Sequence, residues 1–427
     1  MKKIALFLLA FAAYQGMAQK TLIWCGTLID GVANNEKSSM TIVVEKNKIT
    51  AVQNGFTPAA AGDITIDLKT KTVMPGWIDS HVHVEQETKK GNLADKFIQN
   101  PADVAFESIA YVNTTLMAGF TSVRDLGGSG VNVSLRNAIN KGWVVGPRIF
   151  TAGKSIATTG GHADPTNGYR RDLMGDPGPK EGVINGPEDA YKAVRQRYKE
   201  GSDLIKITAT GGVLSQAKDG ANAQFTEEEV KAIVSAAKDY GFKVAAHAHG
   251  AEGIKRAIKG GVNSIEHGTF MDDEGMALMK QYGTWLVPTI TAGKSVADSA
   301  KIPGYYTDIV TPKALATGPQ IQSTFGKAYK AGVKIAFGTD AGVYRHGMNW
   351  LEFGYMIEAG MPAMEAIKAA TSRAAELLGM ESQLGSIEAS KLADIVAVTG
   401  NPLKDPSAFG NVVFVMKNGT VYKQQKN

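Results

Sequence analysis

Histidine is scarce in this chain, and its positions indicate metal chemistry. His81 and His83 are separated by one residue, so on a β-strand both imidazoles face the same side and can bind one ion. His247 and His267 end two further apolar stretches, KVAAH and SIEH. A single histidine at a strand end is usually structural, but four at the same end of one fold predict a divalent metal site.

A lysine and an aspartate lie in comparable positions. Lys206 is in the apolar stretch LIKIT, where strand alternation turns its side chain inward. A bare ammonium beside a cation costs free energy, so Lys206 needs either a carboxylate partner or conversion by CO2 to a carbamate, and its spacing leaves both open. Asp340, in AFGTDAG, suits metal ligation and proton transfer, although the same run also fits an Asx turn.

The elements between these residues predict an α/β fold with a (β/α)8 barrel. Apolar strands alternate with amphipathic helices over roughly 270 residues, and active-site groups of such barrels lie at the C-terminal strand ends. One helix is predicted over TEEEVKAIVSAAKDYG, with Thr226 and Glu229 as a capping box and Gly241 at its end. A doubly wound open sheet is the alternative, but no glycine-rich fingerprint follows an early strand. The predicted strands are TVMPGWIDSHVH, TSVRDL, PRIFTAG, LIKITATGG, KVAAHAHG, SIEHGTF, WLVPTI and IAFGTDAG.

Strand-and-turn patterns return at both ends of the chain. Alternating residues from Thr21 to Asp67 resemble those of ADIVAVTG and NVVFVMKNGTVYK, where Asn418-Gly419 favours a tight hairpin. We expect the two ends to pair into one small sheet domain; the alternative is a set of unrelated edge strands. The predicted organisation is therefore a signal peptide at 1–18, β domain segments at 19–72 and 381–427, and a barrel at 73–380.

The first eighteen residues have the layout of a secretory signal peptide. Lys2 and Lys3 precede an apolar run and a small-x-small site at Gly16 and Ala18, which predicts export to a bacterial periplasm or beyond. No later segment is apolar enough for a membrane span, so no membrane association is expected after signal removal. The formal net charge of +5 is dispersed, which disfavours nucleic-acid binding, and the single cysteine, Cys25, excludes an internal disulfide and a cysteine-based zinc site.

In combination and in this order, the motifs resemble the amidohydrolase superfamily of metal-dependent hydrolases. The resemblance rests on LIDG at 28–31, MPG at 74–76, GTD at 338–340, GSI at 385–387 and KLADI at 391–395, besides the histidine motifs. It implies a distorted (β/α)8 TIM barrel with a small β-sandwich built from both chain ends. It also implies two divalent ions, with zinc expected, and N-carboxylation of Lys206 as a bridging ligand. The implied metal ligands are His81, His83, Lys206, His247, His267 and Asp340.

Within the superfamily, TATGGVLS, VAAHAHG, SIEHGTF and GTDAG are most similar to the branch of Xaa-Pro dipeptidases and imidazolonepropionase-related enzymes, and also to hydrolases of ochratoxin-type amides. This implies hydrolysis of dipeptides or N-acyl amino acids by a metal-bridging hydroxide, with Asp340 moving the proton. His162 and His249 are expected to contact the substrate carbonyl, although relatives often have Tyr at the position of His249 and His162 also fits a structural loop residue. Arg345 or Arg124 is expected to bind a substrate carboxylate.

Two other functions remain open at this stage. The same metals serve ring opening of a cyclic amide such as an imidazolone or hydantoin, and a secreted binding protein could use the metals only to capture a ligand. The resemblance further implies a small peptide-like substrate and a homo-oligomer.

Overall fold

The structure, a computed structural model, describes residues 19–91, 94–218 and 220–425. The predicted signal peptide at 1–18 lies outside these residues. Within them, no helix combines the length and the apolar character that crossing a bilayer requires.

Sixteen strands are present in the described part of the chain. They are β1 (Lys20–Leu28), β2 (Lys37–Glu45), β3 (Lys48–Asn54), β4 (Ile64–Pro75), β5 (Trp77–Val82), β6 (Phe120–Asp125), β7 (Arg148–Thr151), β8 (Ala157–Thr158), β9 (Val183–Ile184), β10 (Ile205–Thr208), β11 (Val244–Gly250), β12 (Ser264–Phe270), β13 (Trp285–Val287), β14 (Ile395–Val398), β15 (Val412–Lys417) and β16 (Thr420–Gln424).

Thirteen α-helices accompany these strands in the same described residues. They are α1 (Asp95–Ile98), α2 (Pro101–Met117), α3 (Val131–Asn140), α4 (Arg171–Met174), α5 (Pro187–Glu200), α6 (Glu227–Asp239), α7 (Ala251–Gly260), α8 (Asp273–Tyr282), α9 (Ile290–Ala300), α10 (Thr311–Lys330), α11 (Leu351–Glu358), α12 (Ala363–Ala369) and α13 (Ser372–Leu378).

The two chain ends form one sheet, as the sequence predicts. Its strand order is β16-β15-β14-β4-β1-β2-β3, and β4 joins the halves because it pairs with β1 on one side and with β14 on the other. Apolar side chains of β1, β2, β4, β14 and β15 pack into a single buried cluster. The predicted hairpin turn is also confirmed, since Asn418 and Gly419 both have positive φ between β15 and β16. The hydrogen bonds run through one continuous seven-stranded sheet, and its packed inner face supplies the core of this domain.

The remaining parallel strands form the distorted barrel. Strands β5-β6-β7 and β10-β11-β12-β13 are two parallel sheets, linked by isolated parallel bridges at Ile156–Ile207, Leu286–Ile335 and Val82–Ala341. The predicted eighth strand, IAFGTDAG, is present only as such bridges. Near its end the segment leaves extended backbone geometry, because Asp340 has φ +60.

Helix α6 shows how the local sequence determines where a helix begins, where it ends and which face it buries. Thr226 accepts a hydrogen bond from the amide of Glu229, and the Glu229 carboxylate accepts one from the amide of Thr226, which is the predicted capping box. Gly241 follows the helix with φ +69. The apolar face predicted from the periodicity, Val230, Ile233, Val234 and Ala237, is buried.

Candidate metal centre and active site

The barrel strands and the loops that follow them place the predicted site residues around one cavity. It has a volume of about 220 Å³ and lies at the C-terminal ends of the barrel strands. All six predicted metal ligands and both predicted substrate-contacting histidines line it: His81 and His83 from the end of β5, Lys206 from β10, His247 and His249 from β11, His267 from β12, Asp340 from the segment after Ile335, and His162 from the loop after β8.

Two overlapping groups of ligand atoms are close enough to hold ions. The ring nitrogens of His247, His249 and His267 lie within 4.8 Å of one another, and so do the ligand atoms of His81, His267 and Asp340. His267 belongs to both groups. One Asp340 oxygen, Oδ1, lies 3.4 Å from Nε2 of His81 and 3.3 Å from Nε2 of His83. The structure thus adds His249 to the possible ligands.

The donor set fits a divalent cation. Nε2 of His81 and Oδ1 of Asp340 are buried, and neither has a hydrogen-bond partner in the described residues. Buried polar atoms are nearly always paired, so two unpaired ligand atoms facing one another require an explanation. Imidazole nitrogens with a carboxylate oxygen form a usual ligand set for zinc. These residues could therefore hold a metal, as the sequence predicts.

Hydrogen bonds on the far side of each ring aim the histidines into the cavity. Nδ1 of His83 lies 2.7 Å from the carbonyl oxygen of Gly127. A carbonyl only accepts hydrogen bonds, so Nδ1 must carry a proton, and in the neutral ring Nε2 keeps its lone pair for the cavity. Nδ1 of His249 is 2.7 Å from the Thr269 hydroxyl, and Nδ1 of His267 is 2.7 Å from the Thr289 hydroxyl. Such outer contacts fix ring orientation at metal sites.

His81 is held by a buried ion pair that sequence analysis missed. Its Nδ1 lies 2.9 Å from one oxygen of Glu266, and Nη2 of Arg124 donates to the other at 2.8 Å. Arg124 also donates to the hydroxyl of Ser264, and all of these side chains are buried. Glu266 stands in the motif SIEHG, directly before His267, but no local pattern shows that its side chain reaches β5.

This pair corrects the expected role of Arg124, because an enclosed guanidinium bonded to Glu266 cannot reach a substrate. Arg345, the other expected carboxylate contact, is exposed and does not line the cavity. The structure therefore brings neither arginine to the ligand group. Among the described residues that line the cavity, the one cationic side chain is Lys206.

Burial sets the charge state of the cavity. It lowers the pKa of Lys206 to about 8, an effect that the neighbouring carboxylates Glu266 and Asp340 oppose. Burial also lowers the pKa of His249 to about 4 and that of His162 to about 3. At neutral pH these imidazoles are uncharged. Burial opposes ionisation of Asp340, but His81 and His83 hold its pKa below the usual range.

Three of the cavity residues lie on strained backbone. His267 has φ +73, Asp340 has φ +60 and Thr289 has φ +51, in a region that non-glycine residues rarely adopt. Such strain persists where surrounding contacts fix the conformation, and it is concentrated at functional sites. His267 lies within β12 and Asp340 lies between the bridge residues Ile335 and Ala341, and both side chains line the cavity.

Part of the cavity lining, called the apolar wall here, is hydrocarbon. It comes mainly from the loop after β10, from α9 and from α10, through Val213, Leu214, Ala292, Val296, Ile321 and Val343; Val213, Leu214, Val296 and Val343 belong to one packed cluster. His162 also lines the cavity, with its ring centroid 4.4 Å from that of His247. Gly212 makes this possible, because a Cβ at that position would lie 2.2 Å from the His162 ring. A ligand here meets both polar groups and hydrocarbon.

The chain matches the model of the amidohydrolase family over residues 72–422. It is 32% identical to ochratoxinase of Aspergillus niger over 429 aligned positions, which cover 95% of this chain and 87% of that protein. Its fold is similar to the crystal structure of a Xaa-Pro dipeptidase with methionine bound in the active site, with a TM-score of 0.93 and 56% identity, covering 95% of this chain and all of that one. A prolidase complexed with N-methylphosphonate-L-proline gives a TM-score of 0.85 and 32% identity, with coverage of 95% and 100%.

The Glu266 contact generates the first prediction. Glu266→Gln leaves the buried Arg124 without a counter-charge, so the free energy of unfolding should fall by about 3–5 kcal/mol. It also weakens the hold on His81, so affinity for zinc should fall by about 10–100-fold. Urea unfolding and metal titration measure the two effects.

The control is Glu376→Gln, which breaks an ion pair with Lys334 in which both side chains are about half exposed. That change should cost less than about 1 kcal/mol and leave metal affinity unchanged. If the two variants bind zinc with equal affinity, Glu266 does not orient His81.

Proposed function

The chain belongs to the amidohydrolase family and is a hydrolase of amide bonds, and from this premise we propose its substrates and its metal chemistry. We propose that it cleaves dipeptides ending in proline or another hydrophobic residue, or N-acyl amino acids, including ochratoxin-like phenylalanine amides. The observation that carries the proposal is the convergence of His81, His83, Lys206, His247, His267 and Asp340 on a cavity with one apolar wall. The activities named for the ochratoxinase and the Xaa-Pro dipeptidase support the same substrate class.

The proposed cofactor is a pair of divalent ions, with zinc expected, held by those six side chains. When bound, such ions polarise a carbonyl and lower the pKa of water to about 7. Lys206 is proposed to be N-carboxylated, because CO2 reacts with a neutral amine and burial lowers the pKa of this amine to about 8. The carboxylated side chain is an anion with two oxygens. Its formation would remove the positive charge of the Lys206 ammonium and provide a metal ligand instead.

The protein groups have separate proposed tasks. Asp340 accepts the proton of the attacking water at a carboxylate oxygen and passes it to the leaving nitrogen. His162 and His249 donate hydrogen bonds to the substrate carbonyl oxygen as it gains charge. The apolar wall receives the hydrophobic side chain of the leaving amino acid and excludes water. Arg345, the expected cation for a substrate carboxylate, does not line this cavity.

The proposed setting is outside the cytoplasm of a bacterium. The leader pattern at 1–18 supports export, and the family supports assembly into a homo-oligomer. N-terminal sequencing of protein recovered from the periplasm or medium tests the cleavage after Ala18. Light scattering on the same sample tests the assembly; full-length protein in the cytoplasm, or a monomer, would contradict these two proposals.

Metal removal tests the function as a whole. The purified protein should contain two zinc ions per chain and hydrolyse Xaa-Pro dipeptides or N-acyl-phenylalanines, and a chelator should abolish both metal content and turnover. Adding zinc back should restore activity. The same screen includes hydantoins and imidazolones: turnover confined to these would replace the proposal by cyclic-amide hydrolysis, and full activity after chelation would refute the metal mechanism.

Asp340→Asn should separate metal binding from proton transfer. The amide retains an oxygen ligand but cannot carry the proton, so kcat should fall about 10²–10⁴-fold while metal content stays near that of the wild type. Metal analysis and steady-state kinetics measure this. The control is Asp272→Asn at the N-cap of α8, which should keep full activity. Normal turnover by Asp340→Asn would refute its role in proton transfer.

Lys206→Ala should lose metal and activity together, because it removes one of the side chains that would hold the ions. A short carboxylic acid such as propionate should restore part of both by occupying the vacated space. Lys417→Ala is the matched control, since burial also lowers the pKa of Lys417 to about 8 but its side chain lies against Gly146, away from the cavity. If Lys206→Ala keeps its metals and its rate, the proposed carbamate is wrong.

A further inference from the structure

The start of α9 is built in an unusual way. Thr289 occupies the N-cap position, where a threonine hydroxyl normally accepts a hydrogen bond from one of the first helical amides. Here it makes no such bond. The hydroxyl instead lies 2.7 Å from Nδ1 of His267. The capping group of the helix has therefore been diverted to a histidine of the cavity.

A second side chain caps the helix in its place. Glu352, from the first turn of α11, accepts hydrogen bonds from the amides of Ile290 at 2.8 Å and of Thr291 at 2.7 Å. Its Oε2 also accepts a bond from the Thr291 hydroxyl at 2.6 Å. A carboxylate is the best group for this position, because the helix dipole favours negative charge at the N-terminus. Glu352 is completely buried, so these bonds satisfy a group that water does not reach.

The arrangement also holds a strained residue. Thr289 has φ +51, which is rare for a β-branched side chain and costs about 1–3 kcal/mol. Its amide is bonded to the carbonyl of Gly338, and the two amides that follow it are bonded to Glu352. The conformation that points the Thr289 hydroxyl at His267 is thus fixed from both sides.

Helix α11 provides a rigid base for Glu352. The next residue, Phe353, stacks on Phe409 with ring centroids 4.0 Å apart and also packs against Trp77 and Phe337. This aromatic cluster is buried in the main core. A carboxylate next to such an anchor has little freedom to move, so its distance to α9 is set by packing.

We propose that Glu352 is a positioning residue for His267: by capping α9 instead of Thr289, it leaves the Thr289 hydroxyl to hold the imidazole. The inference rests on the proposed metal centre, in which His267 is a ligand. It assigns a role to a glutamate that does not line the cavity and that no local motif marks.

Metal affinity tests this proposal. Metal-free protein is titrated with Co²⁺ against a competing chelator, and the visible spectrum of the bound ion reports its ligand geometry. Glu352→Gln should weaken binding by about 10-fold and alter the spectrum, since loss of an outer contact typically costs 10–100-fold. Thr289→Val, which keeps the shape and removes the hydroxyl, should have the same effect.

The double variant decides whether Glu352 acts through Thr289. If it does, adding Glu352→Gln to Thr289→Val should change Co²⁺ affinity by less than about twofold, because the contact it supports is already gone. An equal further loss in the double variant would overturn the proposal. So would a Glu352→Gln protein that melts at a lower temperature but binds Co²⁺ as the wild type does, because that is the behaviour of a structural cap.

Two additional proteins complete the test. Glu229→Gln removes the carboxylate of the α6 capping box and should lower stability without changing Co²⁺ affinity. If Glu352→Gln does not fold, Thr291→Val removes one of the three bonds to Glu352 and should give a smaller loss in the same direction; unchanged affinity there would overturn the inference. Wild-type protein that binds no Co²⁺ would refute the metal centre itself, whereas normal wild-type binding with unaffected variants would refute only the role of Glu352.

Discussion

The structure depends on one constraint: in a buried cavity, the atoms that could bind a metal must be kept free of hydrogen-bond partners. Folding normally pairs every buried polar atom, yet Nε2 of His81 and Oδ1 of Asp340 remain without partners in the described residues. Leaving such groups unpaired costs free energy, so the surrounding fold must prevent them from rotating toward other partners. The bonds at Nδ1 of His81, His83, His249 and His267 serve this purpose, because they use one nitrogen of each ring and leave the other for the cavity. His247 uses its Nε2 in the same way, since this atom is bonded to the carbonyl of Gly211.

The same constraint explains why buried carboxylates from distant elements surround the site. Glu266 reaches from β12 to His81, Glu352 reaches from α11 to α9, and Glu85 accepts bonds from the amides of Ser129 and Asn132 at the start of α3. Each carboxylate is bonded to donors on another element. A buried charge with several donors is satisfied only in one arrangement, so these contacts fix the spacing of strands and helices around the cavity.

Sequence reasoning located the inner groups because their position depends on local rules. Strand alternation turns His81, His83 and Lys206 inward, and the ends of parallel strands meet at one face. The outer contacts depend on which strands become neighbours and how far a side chain reaches, as with Arg124 and Glu266 at 142 residues' separation. The periodicity of the sequence does not indicate which distant side chains come into contact. The eighth strand shows the same limit, since its apolar run is clear but the left-handed backbone at Asp340 follows from contacts across the barrel.

Under the proposed function, the polar and apolar parts of the lining affect different properties of the reaction. The cluster of predicted ligands would contact the reacting atoms, so a small displacement there would change the barrier directly. The apolar wall, with Val213, Val296 and Ile321, would contact the hydrophobic side chain of the proposed substrate. One methylene in such a pocket is worth about 1–3 kcal/mol, so this wall could rank hydrophobic side chains but could not reject close analogues strongly. Strict selectivity would need a charged or hydrogen-bonding group aimed at the distal end of the substrate, and the described lining contains no arginine. The proposed enzyme would therefore combine fixed chemistry with a graded choice among hydrophobic substrates.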